Sequence, residues 1–355
     1  MIYSDDNIIR TYFLILEESP ITQEVIRANR VIYELIFERN SSTPYDRNEL
    51  INAIKSFRSH PILSGANLYS IHRIHEDLCR QVNNEYPNLP DINCYSGEFP
   101  THSMNAECRL TTSGYLFLIN SGFIYLTHEV SKVMTLLALN ASNNINEGYT
   151  DRVFAMNLSN LLITYLFLDF NARPRARLEI RSREQYVIFS LVSAACTKFV
   201  LAHEFGHALS GHLTSNLVIN DQDFIQKNFE EELEADRVGI NLLLFHKESI
   251  HQDEIDLSNT VSVAAITLLF ELDNLLQFLM NDPIIKTLFV NRFEKNNPHF
   301  THPSSTIRMT QMVDLLDSNY PFIDIQLALS LAESFKKYRE PVLLNLQEFL
   351  IRNSL

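Results

Sequence analysis

Residues 201–213 read LAHEFGHALSGHL, and they constrain this chain more than any other stretch. Two histidines and a glutamate fall inside an apolar helical run. Burying such groups without partners is costly, so the fold around them must supply partners. On an α-helix, residues four apart lie one above the other on one face. His203 and His207 can therefore turn a ring nitrogen toward a single ion. Glu204 lies next to His203 around the helix, where its carboxylate can reach a water on that ion. Two ligands and a base at this spacing form the H-E-x-x-H arrangement of a zinc site.

A catalytic zinc has three protein ligands and one open position. The segment EEELEADRVGINLL (230–243) offers the third ligand. Glu232 and Asp236 are four apart and share a helix face. One carboxylate can bind the ion. The other can accept a hydrogen bond from a ligand histidine's second ring nitrogen and fix its tautomer. The spacing alone leaves open which does which.

Other histidines read as structural or surface features. His72 and His75, with Glu76, could hold a metal, but a pair three apart on a helix is more often a surface feature. His128 and Glu129 lack a second histidine at the right spacing. His246 and His251 fall in a polar stretch. His212 lies one turn past the ligand pair, and the helix period turns it away from them.

The chain has 355 residues and a net charge of −14. That length suits one large domain or two ordinary ones. An acidic chain is a poor general nucleic-acid binder, because phosphate contacts need clustered Lys and Arg. Only eight glycines are present, and none forms a phosphate-cradling loop, which argues against nucleotide chemistry. Cys79, Cys94, Cys108 and Cys196 show no CxxC pair and no finger spacing. Cys196 reads as a small core residue. The start MIYSDDNIIR lacks the basic end and apolar run of a secretory signal. No stretch reaches roughly 18 uninterrupted apolar residues, so 187–202 and 261–270 read as buried helices rather than membrane spans. The expectation is a cytoplasmic protein; delivery into another cell by a non-classical route is compatible with it.

Along the chain, residues 4 to 84 look helical, with apolar spacing clearest in ITQEVIRANRVIYELIF (21–37). The segment 84–103 holds three prolines and little periodicity. It places a boundary between an N-terminal helical region, 1–95, and a second domain, 96–355. SGYLFLI (113–119) reads as a strand. Residues 123–139 and 151–170 read as helices. Arginines 173, 175, 177, 181 and 183 form a basic segment, read as a solvated loop and helix start that could also meet an acidic partner. From Tyr186 the chain is helical, with breaks near 300 and a last helix starting at Pro341. The fold class expected is mainly α with a small β-sheet.

HEFGHALSGH followed by ELEADRVG resembles the gluzincin metallopeptidases, most closely the M48 family of HtpX-like and CAAX-prenyl proteases. NAECRLTTSGYLFLINSGFI (105–124) is similar to that family's Asn-Ala stretch, glycine-led edge strand and following Ser-Gly. His212 matches a histidine often found five residues after the second ligand. THPSSTIRM (301–309) resembles the family's late His-Pro segment and arginine. The matching order covers about residues 100–315. A looser resemblance is to the Lit-type phage-exclusion peptidases.

The resemblance implies a zincin-like core and one Zn2+ per chain, held by His203, His207 and Glu232. Glu204 becomes the general base, and Asp236 the partner of His203. His302 would hold substrate or stabilise an oxyanion. Gly114, Tyr115, Leu116 and Phe117 would form an exposed edge strand beside the cleft, to which an extended peptide adds as one more strand. The function implied is zinc-dependent endopeptidase action on a protein or peptide. The alternative is a non-catalytic interaction protein stapled by zinc. The chain departs from the family in its lack of the transmembrane helices many members carry, in its long interval before His203, and in its first hundred residues.

Overall fold

A computed structural model describes residues 1–18, 65–89, 91–99, 104–142, 147–167, 182–212, 221–244, 252–286, 303–320, 323 and 325–352. It is mainly helical, with one small mixed sheet. The chain divides into two compact units, Met1–Tyr125 and Leu126–Leu355. The boundary expected near residue 95 falls inside a strand, Ile92–Phe99.

The first unit contains β1 (Ile2–Tyr3), α1 (Asp6–Glu18), α2 (Gly65–Glu85), β2 (Ile92–Phe99), β3 (Ala106–Thr111) and β4 (Gly114–Asn120). The sheet order is β1-β2-β4-β3. β1 runs parallel to β2, β2 parallel to β4, and β3 antiparallel to β4. Asp5 caps α1 by accepting from the backbone N–H groups of Asn7 and Ile8, both at 2.9 Å. Ile8, Ile9 and Tyr12 of that helix then bury against Tyr95, Leu116 and Leu118. The Tyr12 hydroxyl donates to the Glu98 carbonyl at 2.8 Å, so the ring's polar end is satisfied inside the core.

This topology overturns the edge-strand expectation for Gly114, Tyr115, Leu116 and Phe117. They lie in β4, which is hydrogen-bonded to β2 on one side and β3 on the other. The physical reason is burial on both faces: Leu116, Phe117, Leu118 and Ile119 are all fully buried in succession. An edge strand with a solvated face would alternate. β4 has no row of free backbone groups to offer a peptide.

The second unit takes in most of α3 (Ser121–Ser142), then α4 (Glu147–Phe167), α5 (Arg183–Leu209), α6 (Asp221–Leu243), α7 (Gln252–Met280), α8 (Ser305–Asn319) and α9 (Gln326–Arg352). α5 packs on α6 and α7; α7 packs on α8 and α9; α9 packs on α4. A capping box starts α5: the Ser182 hydroxyl accepts from the Gln185 N–H, and the Gln185 side chain accepts from the Ser182 N–H. Pro341 does not start the last helix but lies inside α9. A proline there removes one helical hydrogen bond and costs roughly 3 kcal/mol. Burial on both sides of it offsets that loss, through Phe335 and Tyr338 before and Val342, Leu346 and Leu350 after.

Two helical stretches, α5 and Ser258–Met280 of α7, are long and apolar enough to cross a membrane by length and composition. The α7 window is 67% buried inside the protein, as a core helix would be; the α5 window is 39% buried. The first turns of α5 expose Tyr186, Val187, Ile188 and Leu191, whereas its last turns are buried and carry His203 and Glu204.

Candidate metal centre

The last turns of α5 and the middle of α6 cross closely because small residues meet there. A Cβ on Gly206 would stand 2.8 Å from the Ala235 Cα and carbonyl oxygen. A Cβ on Gly239 would stand 3.0 Å from the His203 nitrogen. With side chains removed at both crossings, the two helices come near enough for Glu232 to reach the α5 histidines.

Three side chains converge. His203 Nε2 lies 3.2 Å from His207 Nε2. Glu232 Oε2 lies 3.3 Å from His203 Nε2, and Glu232 Oε1 lies 3.3 Å from His207 Nε2. A tetrahedral zinc with metal–ligand distances near 2.1 Å spaces its ligands about 3.4 Å apart. The two imidazole nitrogens, and each of them with one Glu232 oxygen, thus stand near that spacing, and one donor from each residue lies within 4.8 Å of the others. His203, Glu204 and Glu232 are buried, and His207 is partly exposed.

The outward ring nitrogens are also held. His203 Nδ1 lies 2.8 Å from Asp236 Oδ1, which fixes Nδ1–H as donor and turns Nε2 inward. His207 Nδ1 lies 2.9 Å from His212 Nδ1, and His212 Nε2 lies 3.3 Å from Glu234 Oε2. The sequence reading turned His212 away by extending the helix through it. The helix instead ends at Leu209, and Gly211 takes a φ of 71° that folds the chain back. Glycine adopts that conformation without a Cβ penalty.

Asp236 is gripped in turn. Arg308 Nε donates to Oδ2 and Nη2 to Oδ1, each at 2.6 Å. The guanidinium lies 4.9 Å from the centroid of the Phe270 ring, as cation–π contacts do. The Ser305 hydroxyl donates to Asp273 of α7, anchoring the start of α8 beside this contact. The sequence shows Arg308 only as an arginine after the His-Pro segment, and no local spacing signals its contact with Asp236.

Burial disfavours charge at His203, but its hydrogen bonds to Asp236 and Glu232 outweigh that and raise its pKa to about 10. Burial would raise the Asp236 carboxyl; Arg308, then His203, more than offset this and lower it. The pocket therefore favours positive charge between Glu232 and the imidazoles. A divalent cation fits both its charge and its donor set.

Of the other expected site residues, His302 lies outside the described residues, as do Arg173, Arg175, Arg177 and Arg181. Arg183 opens α5. His75 is buried at 3% exposure rather than sitting on a surface, and it meets two cysteines that sequence spacing did not connect. Comparison with family models, with curated proteins and with solved structures gives no match.

Proposed function

We propose that the chain is a zinc-dependent endopeptidase of the gluzincin type, acting on a protein or peptide. The observation that carries this reading is the triangle of His203, His207 and Glu232 donors, with Asp236 and His212 on the outward nitrogens. Zinc bound there supplies a Lewis acid for a scissile carbonyl and brings the pKa of a water down to about 7.

The chain's own residues do the rest. Glu204 accepts the proton of the attacking water and returns it to the leaving amine as the peptide C–N bond breaks. Asp236 keeps His203 in the tautomer whose Nε2 lone pair faces inward. Arg308 keeps Asp236 ionised, so that it accepts and does not donate. Among the described residues the cluster has three ligand side chains, so a zinc held there would keep a position for water or substrate. A zinc staple would be closed by four ligands and would have no use for a buried base beside it. A reducing compartment such as the cytoplasm suits four cysteines that form no disulfide.

The test compares new protein N-termini in cells expressing wild type and Glu204→Gln, with zinc content measured on both purified proteins. A short set of ends unique to the wild type, with equal zinc, supports the enzyme. Identical sets of ends with equal zinc would leave the non-catalytic scaffold standing.

A further inference from the structure

We propose that His75, Cys79 and Cys94 form a second metal site in the first compact unit, for a thiophilic cation such as Zn2+. The site shares no residue with the His203 cluster and does not depend on the peptidase reading.

His75 and Cys79 are four apart on α2, so the helix stacks both side chains on one face. Cys94 comes from β2, where it is fully buried opposite Tyr115 of β4. The His75 nitrogen and the two sulfurs all lie within 4.8 Å of one another. The His75 Nε2 to Cys79 Sγ distance is 3.4 Å. Zinc–nitrogen and zinc–sulfur bonds of about 2.1 and 2.3 Å at a tetrahedral angle place those atoms about 3.6 Å apart. Little movement is needed to close the donors around an ion.

The surroundings are those of a ligand histidine. His75 Nδ1 lies 2.7 Å from Ser96 Oγ on β2, which turns Nε2 toward the sulfurs. Ser4 Oγ stands 3.1 Å from the same Nε2 and donates to the Cys94 carbonyl at 2.5 Å. An oxygen is thus already at the cluster. Two thiolates and an imidazole select zinc-class cations over calcium or magnesium, which take oxygen ligands. The ion would tie α2 to β2 at the point where Ser4 passes. Binding to the folded chain alone would stabilise this unit directly.

Titration of the reduced, full-length His203→Ala/His207→Ala variant with Co2+ tests the site, because only sulfur ligands give thiolate-to-cobalt charge-transfer absorption. The expected result is such absorption saturating at about one Co2+ per chain, abolished by Zn2+, lost in Cys79→Ser and Cys94→Ser, and kept in Cys108→Ser. On wild-type protein, Zn2+ should protect the partly exposed Cys79 from alkylation while Cys108 reacts as before. That second reading needs no variant to fold. Absence of the charge-transfer band in the reduced protein would overturn the proposal. So would a band that survives both serine variants, or alkylation of Cys79 unaffected by Zn2+. A Cys79–Cys94 disulfide that forms in air, with no cobalt band after reduction, would identify a redox pair in its place.

Discussion

Arg308 and Asp236 are 72 residues apart in sequence, yet the guanidinium holds both carboxylate oxygens at 2.6 Å. One of those oxygens, Oδ1, also faces His203 Nδ1 at 2.8 Å. The contact therefore sets the angle of the His203 ring from a third helix, through one rigid carboxylate. A planar fork matched to a carboxylate gives geometry as well as charge.

Arg308→Lys keeps the charge and loses the fork. Zinc affinity, read by competition with a chromophoric chelator, should fall about 10–100-fold. Arg308→Ala leaves a buried carboxylate without its counter-ion and should destabilise the fold by about 3–5 kcal/mol in denaturant titration. In Arg308→Ala/Asp236→Asn the two losses should be far from additive, because the buried charge disappears with its partner. Wild-type zinc affinity in Arg308→Lys would remove Arg308 from the orientation of His203.

His212 offers the matching test on the other ligand. His212→Ala frees His207 Nδ1 and should lower zinc affinity about 10–100-fold. Glu234, which lies 3.3 Å from His212 Nε2 but is 45% exposed, should matter much less when replaced by Gln. Equal losses from both would mean that the outer carboxylate, not the histidine, holds the ring.

These two residues also mark where the sequence stopped being informative. His203, His207, Glu232 and Asp236 could be read because helical period converts a spacing of four into a shared face. Arg308 comes from a distant helix, and nothing local ties it to Asp236. His212 depended on where the helix ended, and Gly211 was the one available signal. β4 was legible as a strand from its apolar run, but its place in the sheet depends on neighbours. The unbroken apolar run Leu116 through Ile119, without polar alternation, was the clue to a central position. Cys79 and Cys94 belong to no spacing pattern, because a helix end, a loop and a strand start separate them.

Acid stability should depend on His128. The ring is half-buried where α3 meets α5, 4.9 Å from the Phe189 ring centroid and with Ser193 Oγ 3.5 Å from Nδ1. Burial, helped by the charge of Lys132, lowers its pKa from 6.5 to about 4. The unfolded chain takes up this proton as pH falls below 6.5, and the folded chain does so only near 4. Its contribution to stability is therefore constant above about 6.5 and is progressively lost from there down to about 4. His128→Gln, which cannot titrate, should flatten the fall in unfolding free energy over that window. Parallel pH curves for variant and wild type would show that His128 titrates normally in the folded protein.

The last prediction concerns the helix crossing that lets Glu232 reach the histidines. Gly206 occupies the third position between His203 and His207, where any side chain would face α6. A Cβ there would sit 2.8 Å from both the Cα and the carbonyl oxygen of Ala235, and neither is the movable end of a side chain. Gly206→Ala gains helix propensity, worth about 1 kcal/mol in an exposed helix. Overpacking against backbone costs about 1–3 kcal/mol, so the net effect should be destabilising. Relief requires α6 to move away from α5, and Glu232 moves with it, one turn from the point of contact. Zinc affinity should fall even though every ligand is still present. A control at Ala208, also buried on α5 but not a ligand, separates general loosening of the core from displacement of Glu232. Ala208→Gly should lower stability while leaving zinc affinity nearly unchanged. If Gly206→Ala binds zinc as wild type does, the crossing does not set the position of the third ligand.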